Sequence, residues 1–453
     1  MSSEPAVAGW ATMGGMPFEA PSRRPGYAPA DSPVGRRGLD TRDRILRSAA
    51  TLFIEVGFDA ASTDSIARAA GTSRASVYQY FASKQQIFEE FVLACELDIG
   101  AHATQLGGLG PDPEGVRALA DWLHGWERLY DDNLVVMAEF PGIGTTESVI
   151  AAPTFIAKYI TDVAARLEAA DIAGIDPLTA AISVLRIIHA ANLFRARGVD
   201  IPRPSHYHAE GLALAVQYLL FPDTPRTAVA ELIHSPDPAR RARVHITGPH
   251  DYPDPDRANP LVCSVLDTAS RLFAERGYHA VGVEDLHRSA GISRASLYRF
   301  FSGKAEVLHA LTLATAAEFA DVIEQLQAIA DLPEDRPLEQ LRDWLQTYTR
   351  FHRAHRGVVR TWFDPTVRAQ VNAVIAPTNA QLWNAVADLV ERGRRPVASS
   401  HPTAAIVTFL SVIVRMTEPV TTTLGDSHPT DPGPAADLMT TLLDRAVLGW
   451  SQQ

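Results

Sequence analysis

A long internal repeat limits what this chain can fold into. The stretch Gly71-Thr-Ser-Arg-Ala-Ser-Val-Tyr-Gln-Tyr-Phe81, followed by Lys84, returns 220 residues later as Gly291-Ile-Ser-Arg-Ala-Ser-Leu-Tyr-Arg-Phe-Phe301, followed by Lys304. The register holds without a gap from Ile45 and Val265 to Phe88 and Leu308. Beyond it, Asp121-Trp122-Leu123 returns as Asp343-Trp344-Leu345 at an offset of 222. Pro153-Thr154 returns as Pro377-Thr378, and Thr179-Ala-Ala-Ile182 as Thr403-Ala-Ala-Ile406, both at 224. Small loop insertions produce such a drift. The duplicated unit spans roughly 190–220 residues, near the upper end of usual domain size. Two copies of that length are two domains, not a solenoid.

Apolar spacing predicts helices throughout. Ile45, Leu46, Ala49, Leu52 and Phe53 form one helical stripe over residues 41–57, which Gly57 ends. Ser62 or Thr63 can cap a second helix that buries Ile66, Ala67 and Ala70. Gly71 turns the chain sharply, and Thr72 or Ser73 caps a short third helix from Arg74 to Phe81. Lys84 opens a longer helix with Ile87, Phe88, Phe91 and Val92 on one side. Helix, glycine turn and short helix make the helix-turn-helix pattern. Further helices follow the stripe Trp122, Leu123, Trp126, Leu129 and Tyr130, a loop from Pro141 to Pro153, and the stripe Phe155, Ile156, Tyr159, Ile160 and Val163. Two strongly apolar helices, 180–194 and 211–221, close the unit.

The expected fold is all-α, with two helix-turn-helix domains (39–88 and 259–308), each followed by a helical regulatory domain (89–221 and 309–453). Residues 1–38, rich in Pro and Gly with Arg23, Arg24, Arg36 and Arg37, read as a disordered arm. Those arginines either follow DNA or decorate a solvated tail. Seven prolines make residues 222–258 a linker without a regular element, and it carries Arg240, Arg241 and Arg243.

Net charge is −12, yet residues 36–84 hold eight Arg/Lys against five Asp/Glu, and residues 257–304 seven against four. Each module is thus +3 on an acidic body, which suits phosphate contact, because only the docking face needs positive potential. Two cysteines, Cys95 and Cys263, make no disulfide framework and fit a reducing cytoplasm. No apolar run approaches the ~20 residues that cross a membrane.

The repeated stretch carries DNA-reading chemistry. Ser73 and Ser76 can donate to phosphate oxygens, as can the Tyr78 hydroxyl, and Lys84 adds a charge. Arg74 is long enough to reach guanine O6 and N7, and Ala75 is small enough to let the helix sit deep. Ser293, Arg294, Ala295, Ser296, Tyr298 and Lys304 repeat the set. Ile292 for Thr72 and Arg299 for Gln79 predict unequal half-sites. A purely core role suits Phe81 and Phe301; the return of Arg-Ala-Ser-x-Tyr while its flanks diverge favours a function for that set.

Residues 63–84 and 283–304 resemble the helix-turn-helix of the tetracycline-repressor (TetR) family. The family pattern stands here as Ile66-Ala67, Ala70-Gly71, Ser73, Tyr78, Phe81 and Lys84. The resemblance covers about 45 residues per copy, the span of a three-helix module. It implies one-component regulators, typically repressors, in which three N-terminal helices read DNA. It also implies a variable C-terminal domain that binds a small molecule and dimerises through its last two helices. By the same resemblance Thr63, Ser73, Ser76, Tyr78 and Lys84 contact phosphates, while Arg74 and Ala75 face bases. The second copy departs from the pattern at Val283, Leu286 and His287, which stand for Thr63, Ile66 and Ala67.

One chain then owns two reading heads. The expected partners are a double-stranded DNA operator and a small, hydrophobic effector. The expected assembly is an intramolecular pseudo-dimer in which Val184, Ile187, Ile188 and the 212–220 helix meet 406–414 and 438–447; further pairing of chains is compatible with it. The alternative is one active head with the second unit as an interaction or sensing module. Trp122, Trp126, Phe155, Tyr159, Trp344, Tyr348 and Trp362 are candidates for the effector pocket, against the plainer reading as core. His352 with His355, and His206 with His208, lack further ligands at recognised spacings and read as surface histidines rather than a metal site. No catalytic or cofactor motif is present: no Gly-x-Ser-x-Gly, Walker loop, Gly-x-Gly-x-x-Gly or Cys-x-x-Cys. No cofactor is expected.

Overall fold

A computed structural model describes residues 33–138, 153–197, 208–233, 259–332, 337–417 and 431–451. Every regular element among them is helical. The first copy comprises α1 (Pro33–Ala60), α2 (Thr63–Ala69), α3 (Arg74–Tyr80), α4 (Lys84–Ala103), α5 (Pro113–Asp132), α6 (Leu134–Met137), α7 (Pro153–Ala169), α8 (Pro177–Arg197) and α9 (His208–Leu220). A short α10 (Ala230–Ile233) precedes the second copy. That copy comprises α11 (Pro260–Arg276), α12 (Val283–Ser289), α13 (Arg294–Phe300), α14 (Lys304–Ala330), α15 (Pro337–Ala354) and α16 (Arg356–Val359). A 3-10 turn (Arg360–Phe363), α17 (Pro365–Glu391), α18 (Pro396–Ser400), α19 (Pro402–Met416), α20 (Pro432–Leu443) and a π-turn (Asp444–Leu448) complete it.

The chain divides into two compact units, residues 1–99 with 128–140, and residues 100–127 with 141–453. The first unit holds the first helix-turn-helix. Ile45, Ala49 and Phe53 of α1, Ile66 of α2 and Val77 of α3 are buried there. Phe53, Phe58 and Phe88 form an aromatic cluster with ring centroids 5.1–5.8 Å apart. Arg44 Nε donates to the Ala70 carbonyl at 2.9 Å, tying α1 to the end of α2.

The second unit contains the whole second copy and the later helices of the first. α8 lies between α7 and α19, and α9 lies against α19 and the π-turn. Val184, Ile187 and Ile188 are buried there, as are Ile406, Val407, Leu410 and Val447. The approach of α9 to α19 is close at Gly211: a Cβ on it would stand 2.4 Å from Ala404 Cβ and 2.8 Å from His401 Cβ. Beside this contact, Arg395 of the second copy donates to the Pro222 carbonyl at 2.8 Å and lies over the Tyr218 ring.

Several expectations need amending. α1 begins at Pro33, inside the stretch read as an arm, since proline suits a first helical turn. Residues 230–233 make a helical turn within the linker, where Ala-Glu-Leu-Ile runs without proline. Pro377 sits inside α17, whereas its counterpart Pro153 starts α7; proline fits helical φ and forfeits one hydrogen bond there. Residues Pro177–Ala196 are long and apolar enough to cross a membrane by length and composition, contrary to the sequence reading. Their 20 residues have a mean hydropathy of 1.4, with 72% of the window buried; a helix apolar all round suits a protein core as well. The loop from 141 to 152, His206 and most of the linker lie outside the described residues.

Candidate nucleic-acid interface

Each reading head is built on two capped helices and a glycine turn. Ser62 caps α2 by accepting from the Ser65 amide at 3.1 Å, and Ser65 Oγ accepts from the Ser62 amide at 2.9 Å. Gly71 and its counterpart Gly291 have φ of 61° and 67°, the left-handed region that glycine enters without strain. Ser73 then caps α3 by accepting from the Ser76 amide at 3.1 Å, and Ser293 does the same for α13 at 3.0 Å. In the second head Gly282 has no side chain to cap α12, and Asp285 accepts the Gly282 amide at 2.9 Å instead.

The third helices turn their reading side chains outward. Ser73, Arg74, Ala75 and Gln79 are exposed, and so are Ser293, Arg294, Ala295, Tyr298 and Arg299. Thr63, Thr72, Ser76, Tyr78 and Ser296 are half-buried. The inward side chains are Val77 and Leu297, with Phe81 and Phe301 behind them. The expected residues other than the lysines are thus exposed or half-buried in each head.

Lys84 and Lys304 are turned to internal carbonyls. Lys84 Nζ donates to Phe58 O at 2.7 Å and to Ala61 O at 3.0 Å, above the Phe58 ring. Lys304 Nζ donates to Tyr278 O at 2.8 Å and lies 4.1 Å from the centroid of that ring; burial lowers its pKa. This is the placement of a clamp between the fourth helix of each head and the end of the first helix or the turn just after it.

The two heads differ in electrostatics. In the first, Arg74 pairs with Asp64 at 3.3 Å and donates to Tyr78 Oη at 3.2 Å, which holds the phenol below its usual range. In the second, Glu284 stands where Asp64 stood, but accepts from His287 Nε2 at 2.9 Å and Arg288 at 2.8 Å. Its pKa is lowered first by His287. Arg294 lies over the Tyr298 ring at 5.5 Å from its centroid, as Arg74 lies over Tyr78, and Tyr298 is the first cause that raises its pKa. Sequence reasoning missed this acidic partner, although Glu284, His287 and Arg288 show the i, i+3, i+4 spacing of one helix face.

The candidate effector residues separate. In the first copy His102 bridges the Tyr159 hydroxyl at 3.1 Å and the Trp122 carbonyl at 3.0 Å. Trp126 Nε1 donates to the same hydroxyl at 2.9 Å. Phe155 lies in α7, with its side chain outside the described residues. In the second copy Trp344 is core and donates to Val322 O at 2.7 Å, whereas Tyr348 and Trp362 line a cavity. His352 is buried, not a surface group, while His355 pairs with Glu318 at 2.9 Å.

The profile described as bacterial regulatory proteins, tetR family, matches residues 45–91 and again residues 265–311. The chain is 41% identical over 54 residues to the biofilm operon icaADBC HTH-type negative transcriptional regulator IcaR of Staphylococcus aureus, covering 12% of this chain and 29% of that one. It is 31% identical over 132 residues to the HTH-type transcriptional activator FasR of Mycolicibacterium smegmatis, covering 28% of this chain and 58% of that one. The matched part thus spans less than two thirds of these relatives. With two capped, outward-facing third helices at the matched positions, the chain carries two helix-turn-helix segments that each match the TetR-family profile.

Proposed function

We propose that the chain is a sequence-specific, DNA-binding transcriptional regulator whose two copies pair within one polypeptide and read two related half-sites. A small apolar effector releases it. The observation that carries this reading is the contact of α8 and α9 of the first copy with α19 and the π-turn of the second, closed at Gly211. The family resemblance assigns dimerisation to the corresponding last two helices, so the partner surface is supplied in cis. The matched relatives include both a negative regulator and an activator.

The test starts from duplexes selected out of random DNA by the full chain. In gel shifts, Arg74→Ala and Arg294→Ala should each weaken binding by about 1–3 kcal/mol and relax sequence preference in one half-site. An Arg294→Ala variant indistinguishable from the parent would favour a single reading head and a second unit that senses or docks.

A further inference from the structure

Where the two copies meet, one cleft is lined by charge rather than by rings. Its volume is about 360 Å³, and both copies build it. The first supplies Tyr218 of α9, with Asp223 and Arg226 just after that helix; the second supplies Arg394 and Arg395 before α18, and Gly449 after the π-turn. The contacts that close it are reciprocal. Arg395 donates to the Pro222 carbonyl at 2.8 Å, and Arg226 donates to the Arg394 carbonyl at 3.5 Å. Arg395 is buried and lies 4.9 Å from the centroid of the Tyr218 ring, whereas Arg226 and Arg394 are exposed. Gly449 makes room for Arg395: a Cβ there would stand 3.2 Å from its Cγ and Cδ.

Three guanidiniums thus share the cleft with one carboxylate, that of Asp223. Like charges gathered at one site repel, and a cation taken out of water needs compensation. Burial lowers the Arg395 pKa although Asp444 and Asp223 act against it, and the charge of Arg445 adds to the effect of burial. Burial lowers Arg445 as well, again against Asp223 and Asp444. The local balance therefore favours a further negative charge. The planar fork of a guanidinium matches the paired oxygens of an oxyanion. The cleft has no twin in the repeat. At offsets of 222 or 224, Arg394 and Arg395 fall on Ala170, Asp171, Ile172 or Ala173, so no arginine stands in the first copy's equivalent turn. Arg445 instead crosses to the Ala173 carbonyl there.

We infer that this cleft between the copies binds a phosphate monoester: Arg226, Arg394 and Arg395 hold the phosphate, and Asp223 accepts from a hydroxyl of the esterified group. The volume lies in the usual range of small-molecule sites and exceeds what inorganic phosphate alone fills. The site belongs to the junction and lies outside the aromatic interior of either copy. Its effect is on the pairing itself, because an anion held by arginines from both sides ties the segment after α9 to the turn before α18. The inference needs only the contact between the copies, not DNA recognition.

The test is an isothermal titration of the full chain, without DNA, with glucose 6-phosphate, glucose and inorganic phosphate. The phosphate ester should bind at a single site, and the other two about tenfold more weakly or worse. Arg226→Gln and Arg394→Gln, both at exposed side chains, should each weaken the ester by about tenfold, the loss of one charge-assisted contact. Arg117→Gln, at an exposed arginine of α5, should leave it unchanged. Glucose 6-phosphate should also raise the melting temperature of the parent chain but not that of the Arg226→Gln, Arg394→Gln double variant. No binding of the ester, equal affinities for it and glucose, or equal losses in all three single variants would overturn the assignment. Inorganic phosphate binding as tightly as the ester would overturn the choice of an ester. A chain that binds glucose 6-phosphate as described but no DNA would refute the regulator reading and leave this site standing.

Discussion

Lys84 illustrates how one motif residue can serve the fold rather than the contact. Its ammonium is spent on the Phe58 and Ala61 carbonyls, and Lys304 repeats the arrangement at Tyr278. Lys84→Met should therefore lower the stability of the first head by about 1.5–3 kcal/mol in a denaturant titration, the usual worth of hydrogen bonds from a charged group. It should leave the slope of log K against log salt unchanged, whereas loss of a phosphate contact would reduce that slope by about one. His352 makes a second residue-level prediction. The folded state disfavours its imidazolium, so the unfolded chain binds the extra proton between the ordinary pKa of 6.5 and about 4. Stability contributed by the neutral ring is complete above that window and falls as pH drops through it, by about 3 kcal/mol. Denaturation midpoints measured from pH 7 to 4 should show this fall, and His352→Phe should flatten it.

At the scale of helices, Gly211 decides how closely α9 approaches α19. Gly211→Val would drive a methyl into Ala404 and His401, and overpacking of this kind costs about 1–3 kcal/mol. The expected result is a melting temperature lower by several degrees and weaker binding to a two-half-site duplex, read by thermal melt and gel shift. Much of the helical order was legible in advance. The 3.6-residue stripe from Ile45 to Phe53, the caps at Ser62 and Ser73, and the turn at Gly71 are local signals, and local chemistry sets them. What escaped depended on partners distant in sequence. α8 is apolar enough to mimic a membrane span because α7 and α19 cover it. Pro377 continues a helix where its counterpart Pro153 begins one. The inward turn of Lys84 is set by carbonyls more than twenty residues away.

For the whole molecule, the acidic total of −12 conceals two basic modules of +3, so affinity for DNA should be steeply salt-dependent despite the net charge. The duplication places a second, related head on the same polypeptide, and Arg299 for Gln79 and Ile292 for Thr72 make the heads unequal. An operator with two similar but non-identical half-sites, about 34 Å or a multiple apart, is the expected match. The central claim is that the dimer is internal. Native mass spectrometry of the complex with the selected duplex, paired with a hydroxyl-radical footprint, tests it most directly. The account predicts the mass of one chain per duplex with both half-sites protected; two chains per duplex, or protection of a single half-site, would contradict it.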